Sequence, residues 1–344
     1  MKMNISKIFV IWFIALSIFY YIFEYSSNSI WVYYNDIWYE MYEQKNYSWA
    51  INQFEKWVKF DYNNPVIWYN LALAQNELGE FEESLISCQK SLDNLDINYT
   101  FSIVKWEINN LIMTNYFNLW DYEKLEKKVD EELNLNSKNL FANYYKAEIQ
   151  LHNYEYNSAL GYINRYLEID WEYEEALYLK GDILYYMWDY KKSVEFFVNT
   201  KNYYSAGFAS LYSYDFESAV KYFELSLEQE FWESIDSHDD QLIKNIMLAI
   251  SYYFSEDYNT SNEIFTEIIK QDYQEYKYRV LPFYTLAQYY STGIIQWWED
   301  YIEGKLDTDK LIEKQSTINK IFIEKNLDEF KDYLYQNYIY SWMD

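Results

Sequence analysis

One cysteine in 344 residues excludes an intramolecular disulfide framework and any metal cage built from several thiolates. Histidine is nearly as scarce. His152 and His238 are the only two, neither stands near a second ligand of that type, and no metal site is expected. Six glycines leave no Gly-rich loop to cradle a phosphate. Cations are outnumbered, 28 Lys and Arg against 55 Asp and Glu, for a formal charge of -27. Such a surface repels phosphate backbones, which argues against nucleic acid and favours basic or neutral partners; it serves the solubility of an extended surface equally well. Asp307-Thr308-Asp309 opens like a calcium loop, but the glycine at the sixth place and the glutamate at the twelfth are missing, so a helix cap is the expected role. Carboxylates are so frequent that a pair at acid/base distance carries little information, and no catalytic constellation or cofactor is expected.

What is present is a phrase that recurs seven times. An acidic residue, or Asn46 in the first copy, opens it and an aromatic follows, at Tyr47, Phe81, Tyr122, Tyr156, Tyr190, Phe216 and Tyr258, at intervals of 34, 41, 34, 34, 26 and 42. Three residues after the aromatic comes a small side chain: Ala50, Ser84, Ala159, Ser193, Ala219 or Ser261, with Leu125 as the exception. Seven after it comes Phe54, Cys88, Val129, Ile163, Phe197, Phe223 or Phe265. Spacings of three and seven put all three residues on one helix face, and a fixed long period marks stacked structural repeats. Cys88 therefore falls at an inward place and is read as a packed core residue rather than a nucleophile.

The period and these residues resemble tetratricopeptide (TPR) repeats. The fullest signature is Trp68, Asn70, Leu71, Ala74, Leu78-Gly79, Phe81, Ser84-Leu85 and Ser91-Leu92. Midway along the first helix, where the family favours Gly or Ala, stand Ala72, Ala147, Gly181, Gly207 and Ala249. Departures are Met113 and Leu125 in the third copy, the 26-residue interval, which implies a trimmed helix before Phe216, and the near absence of proline at repeat ends. The resemblance implies an all-α, right-handed α-solenoid of two-helix repeats over 30–275, with boundaries near 64, 98, 139, 173, 200, 233 and 275. The longer intervals before Trp106 and Tyr258 imply longer helices or loops, with Ser234–Gln241 polar enough to be a loop. Residues 276–344 read as further helices and a C-terminal cap, beginning with a helix from Pro282 to about Tyr290.

In the family the first helices line a concave groove. The matching places here are Tyr39, Tyr42, Tyr69, Asn76, Tyr144, Tyr178, Tyr185, Tyr204, Phe208 and Tyr253. Tyrosine offers apolar area plus a hydroxyl at low entropic cost, which suits a protein or peptide partner; with 43 tyrosines in the chain, some fall on this face in any case. Family members that hold acidic chaperone tails use Lys, Arg and Asn there, whereas these places are mostly aromatic or acidic, so an anionic tail should bind badly.

Two further stretches carry expectations. Lys2 and Lys7 precede sixteen uncharged residues, Ile8–Phe23, with no clean small-x-small cleavage site after them. Residues 1–29 thus read as an uncleaved transmembrane signal anchor, single-pass in the cytoplasmic membrane with the repeats outside. A cleaved segment would leave the alternative, an exported soluble receptor for a peptide or glycan. Finally, Trp38 occupies the close-crossing place held elsewhere by Gly or Ala, and Trp120 and Trp188 precede Asp-Tyr where Gly79 precedes Glu80-Phe81. An indole overpacks such a crossing by about 1 to 3 kcal/mol. The 14 Trp and 6 Gly together approach the usual glycine share of about 7%, hence the hypothesis that UGA codons meaning glycine were rendered as tryptophan.

Overall fold

A computed structural model describes residues 44–95, 102–229 and 238–270, together with Tyr284, Ala287, Gln288 and Ser291. Thirteen α-helices are found among the described residues: α1 (Tyr47–Phe60), α2 (Pro65–Glu77), α3 (Phe81–Asp93), α4 (Ser102–Asn118), α5 (Tyr122–Leu135), α6 (Leu140–His152), α7 (Tyr156–Leu167), α8 (Glu174–Tyr186), α9 (Tyr190–Asn199), α10 (Tyr203–Tyr212), α11 (Phe216–Glu228), α12 (His238–Phe254) and α13 (Tyr258–Lys270). The chain divides into two compact units, 1–152 and 153–344, whose described helices are α1–α6 and α7–α13. Within each unit every helix packs on its neighbours in sequence, and in the first unit the alternate helices α2, α4 and α6 also touch. That pattern is an α-solenoid of TPR-like hairpins.

Why the phrase makes helices is visible at its two ends. Its first residue is the N-cap: the side chains of Asp121, Asp215 and Asp257 accept from the backbone N–H groups of Lys124, Ser218 and Thr260. Such a cap satisfies a donor the helix leaves free, and losing one costs about 1 kcal/mol. The helix before it ends in a left-handed residue, with Glu80 N donating to Gln75 O at 2.8 Å and Gly79 N to Asn76 O at 2.9 Å. The same pair of bonds recurs at Trp120, Trp188, Tyr214 and Glu256, so one turn design joins the two helices of most hairpins.

The face predicted to point inward does so. All seven small-place residues, Leu125 included, and all seven bulky-place residues are buried. Hydrogen bonds fix the pairing of helices: Ser84 Oγ donates to Ala72 O at 2.7 Å and Ser91 Oγ to Pro65 O at 2.6 Å, so α3 runs antiparallel to α2. At the equivalent place Ser261 Oγ donates to Ala249 O at 2.8 Å. In the second unit glycine makes room for large rings. A Cβ on Gly181 would lie 2.9 Å from the Phe197 ring, and one on Gly207 2.8 Å from the Phe223 ring. Phe197, Phe223 and Phe265 are fully buried, each contributing about 1.5 to 3 kcal/mol.

The irregular intervals have physical explanations. The long ones belong to 17-residue helices, α4 and α12. Helix α12 begins at His238, so the end of the stretch assigned to a loop, Ser234–Gln241, is helical instead. The 26-residue interval comes from two 10-residue helices: α10 is trimmed as expected, and α9 is shortened as well. Met113 and Leu125 are fully buried in a shared core with Val129, so the third copy replaces small residues with apolar ones and keeps the packing. Tyr284, Ala287 and Gln288, which fall in the stretch expected to form a helix from Pro282, are helical, and so is Ser291. The apolar run 8–23, Trp38 and the remainder of 276–344 lie outside the described residues. Among the described residues no helix is long and apolar enough to cross a membrane.

Candidate docking face

The first helices carry the residues predicted for a groove. Tyr39 and Tyr42 lie outside the described residues. On α2, Tyr69 packs against the cluster of Ala72, Cys88 and Ile108. Burial, with Glu107 and Cys88 nearby, pushes its hydroxyl well above the ordinary tyrosine range. Asn76 donates to Asn115 Oδ1 at 2.9 Å, Asn115 donates to Ser84 Oγ at 2.8 Å, and Ser84 donates onward to Ala72 O. Asn76 is thus one end of a relay that ties three helices together.

Tyr144 on α6 stands one turn before Glu148 and donates to its carboxylate. Burial raises the Glu148 carboxyl above its usual range, and this hydrogen bond opposes the rise. On α8, Tyr178 stands one turn before Asp182, and Tyr186 one turn after it, so the three form one stripe. Burial, then Asp182, pushes the Tyr178 hydroxyl up to about 12, while a hydrogen bond with Ser205 on α10 pulls the other way. Tyr186 is exposed and stacks on Tyr156 at 6.1 Å. Tyr204 and Phe208 on α10 are half-buried, each edge-on to the Phe223 ring.

One predicted residue sits deeper than a groove requires, and a second is hemmed in by rings. Tyr253 is 4% exposed and belongs to the core of the second unit. Tyr185 is wedged among Tyr190, Tyr212 and Phe197, with ring centroids 5.3 to 6.5 Å away. Both stand four residues after the close-crossing residue, Ala249 or Gly181, on the line that meets the next hairpin. The places three residues before the crossing, Tyr69, Tyr144, Tyr178 and Tyr204, are half-buried, as Tyr185 is. Missing from the predicted set were the carboxylates. Glu148 and Asp182 each directly follow a close-crossing residue, Ala147 and Gly181, and that offset was readable in the sequence.

Cations are held elsewhere. Lys146 Nζ reaches from α6 to Glu126 at 3.0 Å and Asp130 at 2.7 Å on α5. Lys124, Lys128, Lys192 and Lys270 pair within their own phrase-bearing helices or with the residue that caps them. In each unit the tyrosine stripe of a first helix therefore carries a carboxylate, a combination that suits a cationic side chain or a hydrogen-bonding peptide. Burial also raises the thiol of Cys88 to about 12, as befits a core residue. Among the described residues no group of His, Cys, Asp and Glu could hold a metal ion.

No protein-family model and no curated protein matches the chain. It is similar to solved structures of TPR proteins. The C-terminal part of a TPR repeat-containing protein from Cytophaga hutchinsonii is 15% identical, with 68% of this chain and 94% of that one covered and a TM-score of 0.49. A tetratricopeptide repeat protein from Parabacteroides merdae is 14% identical, with 74% and 96% covered and a TM-score of 0.47. YrrB, described as a TPR protein with an unusual peptide-binding site, is 16% identical, with 52% and 93% covered and a TM-score of 0.38.

Proposed function

We propose that this chain is a membrane-anchored docking scaffold, displayed outside the cytoplasm, whose first helices grip a peptide or helix of a basic or neutral partner in an envelope or secretion assembly. The observation that carries the docking role is the placing of Tyr144 with Glu148, and of Tyr178 with Asp182, on first helices whose other faces are spent on packing. Each pair offers a ring for contact area and a carboxylate for charge. A net charge of -27 steers cationic segments toward the whole surface and repels anionic ones.

The anchored, extracytoplasmic part of the reading is supported by the charged start and the uncharged run of residues 8–23. Fractionation tests it. The full chain should stay in the membrane pellet after alkaline extraction, with an intact amino terminus, and protease added outside the cytoplasmic membrane should digest the repeats. A chain released into the soluble fraction with residues 1–29 removed would favour an exported receptor instead.

A further inference from the structure

Seven tryptophans fall among the described residues, and none of them is in the core. Trp57 and Trp68 are half-buried; Trp49, Trp106, Trp120, Trp171 and Trp188 are exposed. An indole has a large apolar area and is highly buried on average in folded proteins. This chain buries its other aromatics readily, among them Phe197, Phe223, Phe265, Tyr145, Tyr166 and Tyr212. Other rings, such as Phe60, Tyr154 and Tyr214, are exposed, but phenylalanine and tyrosine are found on both sides whereas no described tryptophan is buried.

Two of them hold backbone that suits a residue without Cβ. Trp120 has φ 57° and Trp188 φ 65°. Each closes the turn between helices with the bonds that Gly79 makes at φ 84°: Asp121 N to Tyr116 O at 3.0 Å and Trp120 N to Phe117 O at 3.0 Å, and Asp189 N to Leu184 O and Trp188 N to Tyr185 O, both 2.9 Å. Left-handed backbone crowds a Cβ, which is why glycine leads at this place. Lys45, Tyr154, Tyr214 and Glu256 hold the same turn place at positive φ, so it accepts a side chain at a cost and decides nothing alone. Tyr154 and Tyr214 share both the strain and the exposure, at 77% and 60%, so what points to tryptophan is that all seven described indoles stay out of the core in a chain with only 6 glycines in 344 residues.

We infer that positions 120 and 188 are glycine in the protein as its own cells make it, the UGA codon being read there as glycine and written in this sequence as tryptophan. The consequence for function is direct. Exposed indoles at the turns stop being candidate anchors, and recognition falls to the tyrosines and carboxylates of the first helices. Trp68 is the internal control. Its indole N–H donates to Tyr62 O at 2.8 Å from within helix α2, a bond no glycine could make, so tryptophan is expected at position 68.

The test is tandem mass spectrometry of protein isolated from its own source and cleaved after lysine, with the gene's codons read alongside. The peptides spanning 106–124 and 181–191 should carry glycine at 120 and 188, from UGA, while the peptide spanning 60–90 carries tryptophan at 68, from UGG. Tryptophan at both 120 and 188 overturns the inference. Glycine at 68 as well overturns the structural criterion that separates the sites.

Discussion

Ser84 and Ser193 occupy the same place in two copies of the phrase, yet their hydroxyls live differently. Ser84 Oγ donates to Ala72 O and accepts from Asn115, whereas Ser193 Oγ is buried with no hydrogen-bond partner among the described residues. Removing the first leaves a buried amide unsatisfied, which costs about 1 to 3 kcal/mol; removing the second relieves a desolvated hydroxyl. Chemical denaturation should therefore show Ser84→Ala destabilised by about that amount and Ser193→Ala neutral or more stable. A second prediction concerns Tyr178. Its hydroxyl, raised from 10.0 to about 12, keeps its proton in the fold where the unfolded chain has lost it. The unfolded state then binds fewer protons, so stability falls as pH rises from the ordinary tyrosine range toward 12. In Tyr178→Phe that portion of the stability curve should flatten.

Hairpins in this chain are fitted by exchanging volume across a crossing. Gly181 faces Phe197 and Gly207 faces Phe223 in the second unit, while the core of the first unit joins Ala72 with Cys88 and Met113 with Val129. Replacing a helical glycine by alanine ordinarily stabilises by about 1 kcal/mol. At Gly207 the new methyl meets a ring that is fully buried and cannot swing away, so overpacking should win and Gly207→Ala should lose about 1 to 2 kcal/mol. Adding Phe223→Leu should recover part of the loss, and urea melts of the single and double variants measure it. A net gain for Gly207→Ala alone would contradict the fitted crossing. At this scale the sequence was nearly transparent, because a spacing of three and seven maps directly onto one helix face. Tyr253 was misplaced for the opposite reason. Whether a residue four past the crossing meets solvent or the next hairpin depends on what that hairpin offers, and no local spacing carries this. Glu148 and Asp182 escaped notice because acidic residues are too common to stand out before their helix face is known.

Within each unit, first helices that spend one face on packing leave another lined by tyrosine and carboxylate. Neither helix of a hairpin can hide its apolar stripe alone, so the stack must form before that face exists. A partner segment that docks there replaces no core contact, and its cationic groups meet Glu148 or Asp182 at a surface already biased by the net charge of -27. The most direct measurement is capture from membranes with residues 30–344 as bait, followed by calorimetric titration of the captured protein's binding segment at two salt concentrations. Binding should weaken as salt rises and fall at least tenfold in Asp182→Asn, about 1.4 kcal/mol or more, and in Tyr178→Ala at a temperature where circular dichroism shows that bait still fully helical. Equal affinity for all three baits at both salt concentrations would contradict a docking face built from these side chains.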